Sequence, residues 1–149
     1  MMEAFVESLA LLGPGLINWN ESAAVLRDPQ TYRPTKVVLD DVGATTANER
    51  RRTTPLIRLA LRVLEQLSAR SSFDLAAARS VFATSWGDYQ VIDSVLFSLT
   101  LPGVPVSPVH FHNVVHNTPA GYWSIGAGAR GLSTSLSAAE TTVAAGLME

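Results

Sequence analysis

The stretch GLSTSLSAAETTVAAG, residues 131–146, is the part of the chain that decides its fold class. The alternating side chains from Leu132 to Ser137 predict a short strand, and the small residues from Glu140 to Met148 predict a helix. A strand that turns sharply into a helix is the shape that holds a nucleophile out for attack. At the predicted turn, however, stands Glu140, and the chain contains no cysteine. The role of this carboxylate is therefore the main question that the sequence raises.

The strongest helix pattern lies upstream, at residues 55–68. Thr54 is suited to cap this helix, and Pro55 is favoured in a first turn. Its apolar residues recur at roughly helical spacing and predict a broad buried stripe. They are Leu56, Leu59, Leu61, Val63, Leu64 and Leu67.

A second strand and helix follow. The residues from Ser80 to Thr84 predict a buried strand, and Asp88 is placed to cap a helix from Tyr89 to about Leu99. Apolar residues predicted to face the inside of this helix are Val91, Ile92, Val95, Leu96 and Leu99. Strands and helices in alternation predict an α/β fold with helices packed on a sheet.

The remaining segments give weaker signals. The residues from Phe5 to Leu12 suit either a strand or a short helix, and Asn20 is a candidate cap for a helix that reaches Arg27. A short apolar run at 37–39 ends in the acidic pair Asp40–Asp41. Another helix is predicted to start at 117–119 and to end at two glycines, Gly126 and Gly128.

Length and composition suit one domain, residues 1–149. Because the sequence stops inside its last predicted helix, we expect half of a larger architecture, truncated at the C-terminus. Hydrophobic residues make up 47% of the chain and charged residues only 16%, which hints at an apolar surface for a partner.

Several classes of protein are disfavoured by charge and residue content. A net charge of −2 gives no basic stripe for nucleic acid. The lack of cysteine excludes disulfides and thiolate metal sites. There is no secretory signal pattern, and no apolar run approaches the roughly 20 residues that cross a bilayer. We therefore expect a cytoplasmic protein with no membrane span.

Three histidines, His110, His112 and His116, form an H-x-H-x3-H pattern. On a strand, His110 and His112 would share one face, where a metal could bind with Glu140 as a further ligand. Such clusters are more often hydrogen-bonded structural histidines, and we expect neither a metal nor a cofactor. The alternating serines before Glu140 lack the G-x-S-x-G pattern of a serine nucleophile, so we interpret them as packing residues.

Two longer segments resemble the thiolase-fold beta-ketoacyl synthases. NTPAGYWSI (117–125) and the glycines up to Gly131 are similar to the N-x-x-A-G-x-x-S-I-x-x-G-x-x-G-P segment that precedes the nucleophile in that family. Leu132 stands where the family has proline. RRTTPLIRLAL (51–61) resembles the family's R-R-M-D-x-x-x-R-L-A-L helix. The resemblance implies a thiolase-like α/β half, the N-terminal half of a synthase, in which helices pack on a mixed sheet.

When the resemblance is continued without gaps from Gly131, Glu140 falls on the nucleophilic cysteine of the synthases. Ser137 then falls on the family's aspartate and Ala138 on its threonine. The whole pattern looks most like a branch of small synthase-like proteins. These resemble only the N-terminal half of a synthase and are grouped with chain-length factors of aryl-polyene-type clusters.

Two requirements of synthase chemistry are then missing. A thiolate must take the acyl chain from its carrier, and the family also uses two histidines from its C-terminal half, to which none of the three histidines here corresponds. The resemblance therefore implies an inactive turn. At that turn, we expect Glu140 to cap the following helix, where the helix dipole favours a carboxylate, or to bond across a subunit interface.

The resemblance thus implies a non-catalytic, chain-length-factor-like subunit. It would pair with an active ketosynthase and, through it, meet an acyl carrier protein in fatty acid, polyketide or aryl polyene biosynthesis. Residues implied to line the interface or a tunnel are Phe111, His116, Asn117, Tyr122 and Trp123. For the three aromatic residues, ordinary core packing is the alternative.

Two other functions remain open at this point. In the first, the protein is an enzyme in which Glu140 polarises a malonyl group for decarboxylation or assists acyl transfer. In the second, it is an acyl-binding module without a synthase partner.

Overall fold

The computed structural model of the protein describes residues 5–39, 43 and 45–149. The acidic pair Asp40–Asp41 therefore lies outside the described residues. Short 3-10 turns occur at Pro29–Thr31 and Ala139–Thr141. The helices and strands are α1 (Trp19–Arg27), α2 (Ala47–Arg50), α3 (Pro55–Ser68), β1 (Ser80–Ala83), α4 (Tyr89–Thr100), α5 (Pro108–Asn113), α6 (Thr118–Ala127), β2 (Ser133–Leu136) and α7 (Thr142–Met148).

Strands β1 and β2 pair in parallel, in a register that places Ser80 beside Ser133 and Ala83 beside Leu136. Both strands lie where the sequence predicts them. The resemblance implied a mixed sheet, whereas the described residues form this one parallel pair. The prediction that β1 is buried is wrong, because Val81 is 40% exposed while its neighbour Phe82 is half-buried. This alternation means that β1 is covered on one face.

The core lies between α3 and α6. Ile57 and Leu61 of α3 are 1% and 0% exposed, and they pack with Tyr122 and Trp123 of α6. The start of α3 is confirmed, since the Thr54 hydroxyl oxygen accepts a hydrogen bond from the Ile57 amide at 3.3 Å. A side chain that satisfies a free amide in the first turn is the usual way in which a helix begins.

Helix α4 begins as predicted but buries less of its surface than predicted. An oxygen of Asp88 accepts from the Val91 amide at 3.3 Å, and Val91 is buried. Leu96 and Leu99 are 58% and 68% exposed, so the prediction that they face inwards is wrong. Because α4 packs chiefly against α5, much of its apolar surface has no neighbour among the described residues.

The first helix has a different cap from the one predicted. Asn18 accepts from the Glu21 amide at 3.0 Å and donates to the Glu21 carboxylate at 2.9 Å. Asn20 lies inside the helix, so its prediction as the cap is wrong. Residues 5–12 form neither helix nor strand. The Ser72 amide donates instead to Glu7, which holds this segment against the end of α3.

The histidine segment is helical, so the strand on which His110 and His112 would share one face is not formed. Ser107 caps α5 and Pro108 occupies its first turn, which together favour a helix over an extended segment. Helix α6 ends as predicted, because Gly128 takes a left-handed backbone with φ +64°. No helix in the described part of the chain has the length and hydrophobicity needed to cross a membrane.

Candidate functional site

The turn between β2 and α7 has a strained backbone one residue before Glu140. Ala139 has φ +48°, which L-residues other than glycine rarely adopt, and it starts the 3-10 turn that leads into α7. Such strain is found where the surrounding structure holds it, often at functional sites. The predicted turn from strand to helix is therefore present, with Glu140 in it.

The end of β1 holds this turn in place. The Thr84 amide donates to the Leu136 carbonyl at 3.1 Å and continues the pairing of the two strands. The Ser85 hydroxyl donates to the Ala139 carbonyl at 2.9 Å, and the Ser137 hydroxyl donates to the Ser85 carbonyl at 3.2 Å. The two serines thus connect the strand ends on both sides of the turn.

Thr142 completes the turn from the α7 side. It is 3% exposed, and its hydroxyl oxygen accepts from the Ala138 amide at 3.0 Å. The same hydroxyl donates to the Ala139 carbonyl at 2.7 Å. Neither Thr142 nor Ser85 was recognised from the sequence, although a serine directly after a predicted strand is a usable signal for such a contact.

The Glu140 side chain is exposed and does not cap α7. Among the described residues, no side chain donates to its carboxylate, and no side-chain cap is present at the start of α7. The prediction that Glu140 caps this helix is therefore wrong, and the first amide of α7, that of Thr142, donates to the Ala139 carbonyl instead. The prediction of a bond across a subunit interface stays open.

The histidines do not form a metal site. His110 and His112 are two positions apart on helix α5, where such residues do not face each other. The part of the chain that the structure describes contains no group of three or more residues that could hold a metal. The His112 ring instead meets the Tyr122 ring edge-on, with 6.2 Å between the ring centroids.

The five predicted interface or tunnel residues divide into two sets. Phe111 is 67% exposed, and His116 and Asn117 are also exposed. Tyr122 and Trp123 are 8% and 6% exposed and belong to the core of this chain, which agrees with the alternative of ordinary core packing for these two residues. Burial raises the pKa of Tyr122, while the charge of Arg52 lowers it and that of Glu49 raises it further. An interface role for the exposed set stays a prediction.

Cavities adjoin both strands of the sheet, and two mainly apolar ones adjoin β1. The larger, of about 460 Å³, lies between α3 and β1 and is lined mainly by apolar side chains, Trp123 among them. The smaller, of about 150 Å³, lies at the carboxyl end of β1, and His116 is part of its wall. Glu140 does not line either of them. The carboxylate and these two cavities therefore do not form one site within this chain.

The chain is similar to known proteins in both sequence and fold. Residues 17–149 match the family described as beta-ketoacyl synthase, N-terminal domain. The fold is similar, with a TM-score of 0.71, to a chain in the complex of the ketosynthase ApeO with its chain length factor ApeC from Xenorhabdus doucetiae. The two chains are 23% identical, and the similarity covers 95% of this chain and 57% of that one.

This chain therefore spans little more than half the length of that relative. No curated protein matches it significantly by sequence. The family match covers nearly the whole chain, including the strand, the turn and the helix around Glu140. From the match and the geometry together, the chain belongs to the family of beta-ketoacyl synthase N-terminal domains.

Proposed function

We propose that the protein is a non-catalytic ketosynthase-like subunit, a chain length factor, that pairs with an active ketosynthase. The pair would act in fatty acid, polyketide or aryl polyene biosynthesis in the cytoplasm and receive substrates from an acyl carrier protein. The observation that carries this proposal is Glu140 itself. It lies in the turn from β2 to α7, at the position where the resemblance implies a nucleophilic cysteine, in a chain without cysteine, and the structure gives its carboxylate no partner among the described residues.

The surroundings of Glu140 support loss of the nucleophile without loss of the fold. Ser85 and Thr142 still hold the Ala139 carbonyl, so the turn does not depend on the side chain that follows it. A thiolate is a strong nucleophile and its thioester passes the acyl group on, whereas a carboxylate is a weak nucleophile. The turn thus suits a structural role in a complex better than acyl transfer.

Exposed apolar residues support a partner protein. Val143, Leu147 and Met148 of α7 are 74%, 84% and 81% exposed. Phe111 adds a further exposed aromatic ring on α5. Apolar surface of this kind marks protein interfaces when it is contiguous. The fold neighbour comes from a complex of a ketosynthase with its chain length factor. A ketosynthase is therefore the partner that we propose for these surfaces.

A catalytic role for Glu140 is less well supported. Decarboxylation of a malonyl group needs a shaped cavity and donors that stabilise the developing enolate. Glu140 is exposed and lines neither of the two cavities. Acyl binding by the chain alone has one observation in its favour, the apolar cavity of about 460 Å³ beside α3, a volume within the range of ligand pockets.

Reconstitution with a ketosynthase tests the proposal. The protein is co-expressed with an active, cysteine-containing ketosynthase, and the mixture is analysed by light scattering and by product length with acyl and malonyl carrier proteins. We expect a defined hetero-complex, condensation by the complex only, and products whose length depends on this subunit. Condensation by the chain alone, or a monomer that binds no ketosynthase, would contradict the proposal.

A pair of variants locates the interface. Phe111→Asp places a charge on the exposed ring position and should weaken the complex. Gln30→Asp introduces a charge at an exposed position of the turn after α1 and should leave the complex with the ketosynthase intact. Equal affinity of the two variants for the ketosynthase would show that Phe111 is not part of the interface.

A further inference from the structure

We propose that Trp86 and Glu140 form one contact surface, which binds an arginine side chain of the ketosynthase partner. This inference rests on the function proposed above and names the group that the partner contributes. The indole ring stacks on the guanidinium group, and the carboxylate pairs with it. Trp86 is 81% exposed and the Glu140 side chain is exposed as well, so both are open to a second protein.

Two hydrogen bonds bring these two positions together. The Ser85 hydroxyl donates to the Ala139 carbonyl at 2.9 Å, and the Ser137 hydroxyl donates to the Ser85 carbonyl at 3.2 Å. Trp86 follows Ser85 in the chain, and Glu140 follows Ala139. Standard covalent geometry then keeps the Cα atoms of Trp86 and Glu140 within about 12 Å of each other. Two long side chains from positions this close can contact one guanidinium group.

The backbone that carries Trp86 is fixed on both sides. The Gly87 amide donates to the Thr84 hydroxyl at 3.1 Å, and Gly87 takes a left-handed backbone with φ +61°. Asp88 then accepts from the Val91 amide at 3.3 Å and starts α4. Because this connection is already ordered, binding through Trp86 costs little further backbone entropy. A large exposed ring on a fixed turn is typical of an interface anchor.

The charge of Glu140 selects the group that the partner supplies. No described residue pairs with its carboxylate. A partner that covers an unpaired carboxylate must bring a cation, because burying the charge alone is costly. Arginine suits this position better than lysine does. Its planar guanidinium group stacks on an aromatic face and still donates hydrogen bonds to a carboxylate.

Apolar surface continues from this contact along α7. Val143 and Leu147 are 74% and 84% exposed, and they are four residues apart, so they lie on one side of the helix. Val143 comes three residues after Glu140. Apolar side chains beside a charged contact exclude water from it and strengthen it. The proposed arginine contact is thus continuous with a surface already assigned to the ketosynthase.

A double-mutant cycle in the ketosynthase complex tests the contact. Trp86→Leu keeps an apolar side chain but removes the ring, and Glu140→Gln keeps the side-chain shape but removes the charge. Calorimetric titration with an active ketosynthase measures the affinity of the parent, both single variants and the double variant. We expect a loss of about fivefold for Trp86→Leu and about tenfold for Glu140→Gln. Because one arginine touches both groups, the double variant should lose clearly less than the product of these factors.

Two variants control for loss of an exposed ring or charge elsewhere. Phe5→Leu removes a ring that is 90% exposed in the segment held against the end of α3, and Asp93→Asn removes an exposed charge on α4. Both should bind the ketosynthase like the parent.

Three results would overturn the arginine contact alone. They are parent affinity in either Trp86→Leu or Glu140→Gln, losses that multiply in the double variant, and a carbodiimide cross-link from Glu140 to a ketosynthase lysine, since this reagent joins carboxylates to amines and not to arginine. A parent chain that binds no ketosynthase would overturn the proposed function itself, and this inference with it.

Discussion

Ala139 shows at the scale of one residue how the turn at Glu140 is built. Its φ of +48° places an alanine in a backbone region that costs L-residues roughly 1–2 kcal/mol. The carbonyl of the same residue accepts hydrogen bonds from Ser85 and Thr142, which hold it there. The strained turn is thus maintained by its neighbours and not by the side chain of Glu140.

Replacing Ala139 by glycine should relieve this strain. Glycine adopts positive φ freely, but it also has more conformational freedom to lose on folding, about 0.5–1 kcal/mol. We expect Ala139→Gly to raise the free energy of unfolding by up to about 1 kcal/mol, measured by chemical denaturation. Ala144→Gly makes the same change within α7 and should be destabilising instead. Equal destabilisation by both would show that Ala139 is not strained.

Glu140→Cys should not produce a condensing enzyme. The substitution restores a thiol at the turn but supplies neither of the histidines that the synthase family uses from its C-terminal half. The side chain is exposed and unpartnered among the described residues, so stability should stay within about 0.5 kcal/mol of the parent. The assay measures condensation of acyl and malonyl carriers by the lone variant. Turnover above that of Glu140→Gln would show that the chain retains a complete active site.

Tyr122 should ionise above the ordinary range of a tyrosine. Burial of its ring, which is 8% exposed, raises its pKa above the ordinary value. Because the folded pKa is the higher one, the stability that Tyr122 contributes is complete below pH about 10 and is lost as pH rises through the folded value. Absorbance titration of the parent and of Tyr122→Phe measures this. The difference between the two titrations should be a transition above pH about 10, and a difference centred at the ordinary value would contradict the burial of this ring.

At the scale of elements, one glycine decides how closely α7 approaches the sheet. A Cβ added at Gly146 would lie 2.9 Å from the Cβ of Ala83 on β1, closer than two carbon atoms can pack. Alanine is the better helix former by about 1 kcal/mol, but the overlap must push α7 away from β1. The position of the helix that carries Thr142 therefore depends on this glycine.

Gly146→Ala should consequently be destabilising, by about 1–3 kcal/mol, despite its higher helix propensity. Gly121→Ala in α6 is the matched control, because no atom lies within 4 Å of its added Cβ, and this change should be stabilising. Thermal unfolding measures both. In a double-mutant cycle, Ala83→Gly should recover part of the loss, and additive effects would show that the two residues do not touch.

The sequence predicts those elements whose signals are local. The starts of α3 and α4 follow from Thr54 and Asp88, because a cap and the first turn are neighbours in the chain. For the histidine segment, a metal site would have required a strand, whereas Ser107 and Pro108 begin a helix. The strain at Ala139 also gives no sequence signal, as it depends on hydrogen bonds from Ser85, which is distant in sequence.

At the scale of the whole molecule, much apolar surface remains uncovered. A hydrophobic content of 47% with only 16% charged residues predicts that apolar surface is exposed, but composition does not predict where on the molecule it lies. The structure places part of it on α4, where Leu96, Phe97 and Leu99 are each more than half exposed, and part of it on α7. Which apolar residues face outwards depends on which elements are packed beside them, and periodicity alone does not contain that information.

The lone chain should therefore self-associate, and α7 should contribute to it. Leu147 is 84% exposed next to Met148, and burying such side chains against a second chain releases roughly 25 cal/mol per Å² of apolar surface. We expect light scattering to show concentration-dependent association of the parent and a clear shift towards monomer for Leu147→Lys. Gln30→Lys, which adds the same charge at a distant exposed position, separates removal of the apolar contact from general charge repulsion. If both lysine variants dissociate equally, repulsion is the cause and α7 is not the contact. A parent that stays monomeric at every concentration would instead show that its exposed apolar residues are too scattered to form an interface.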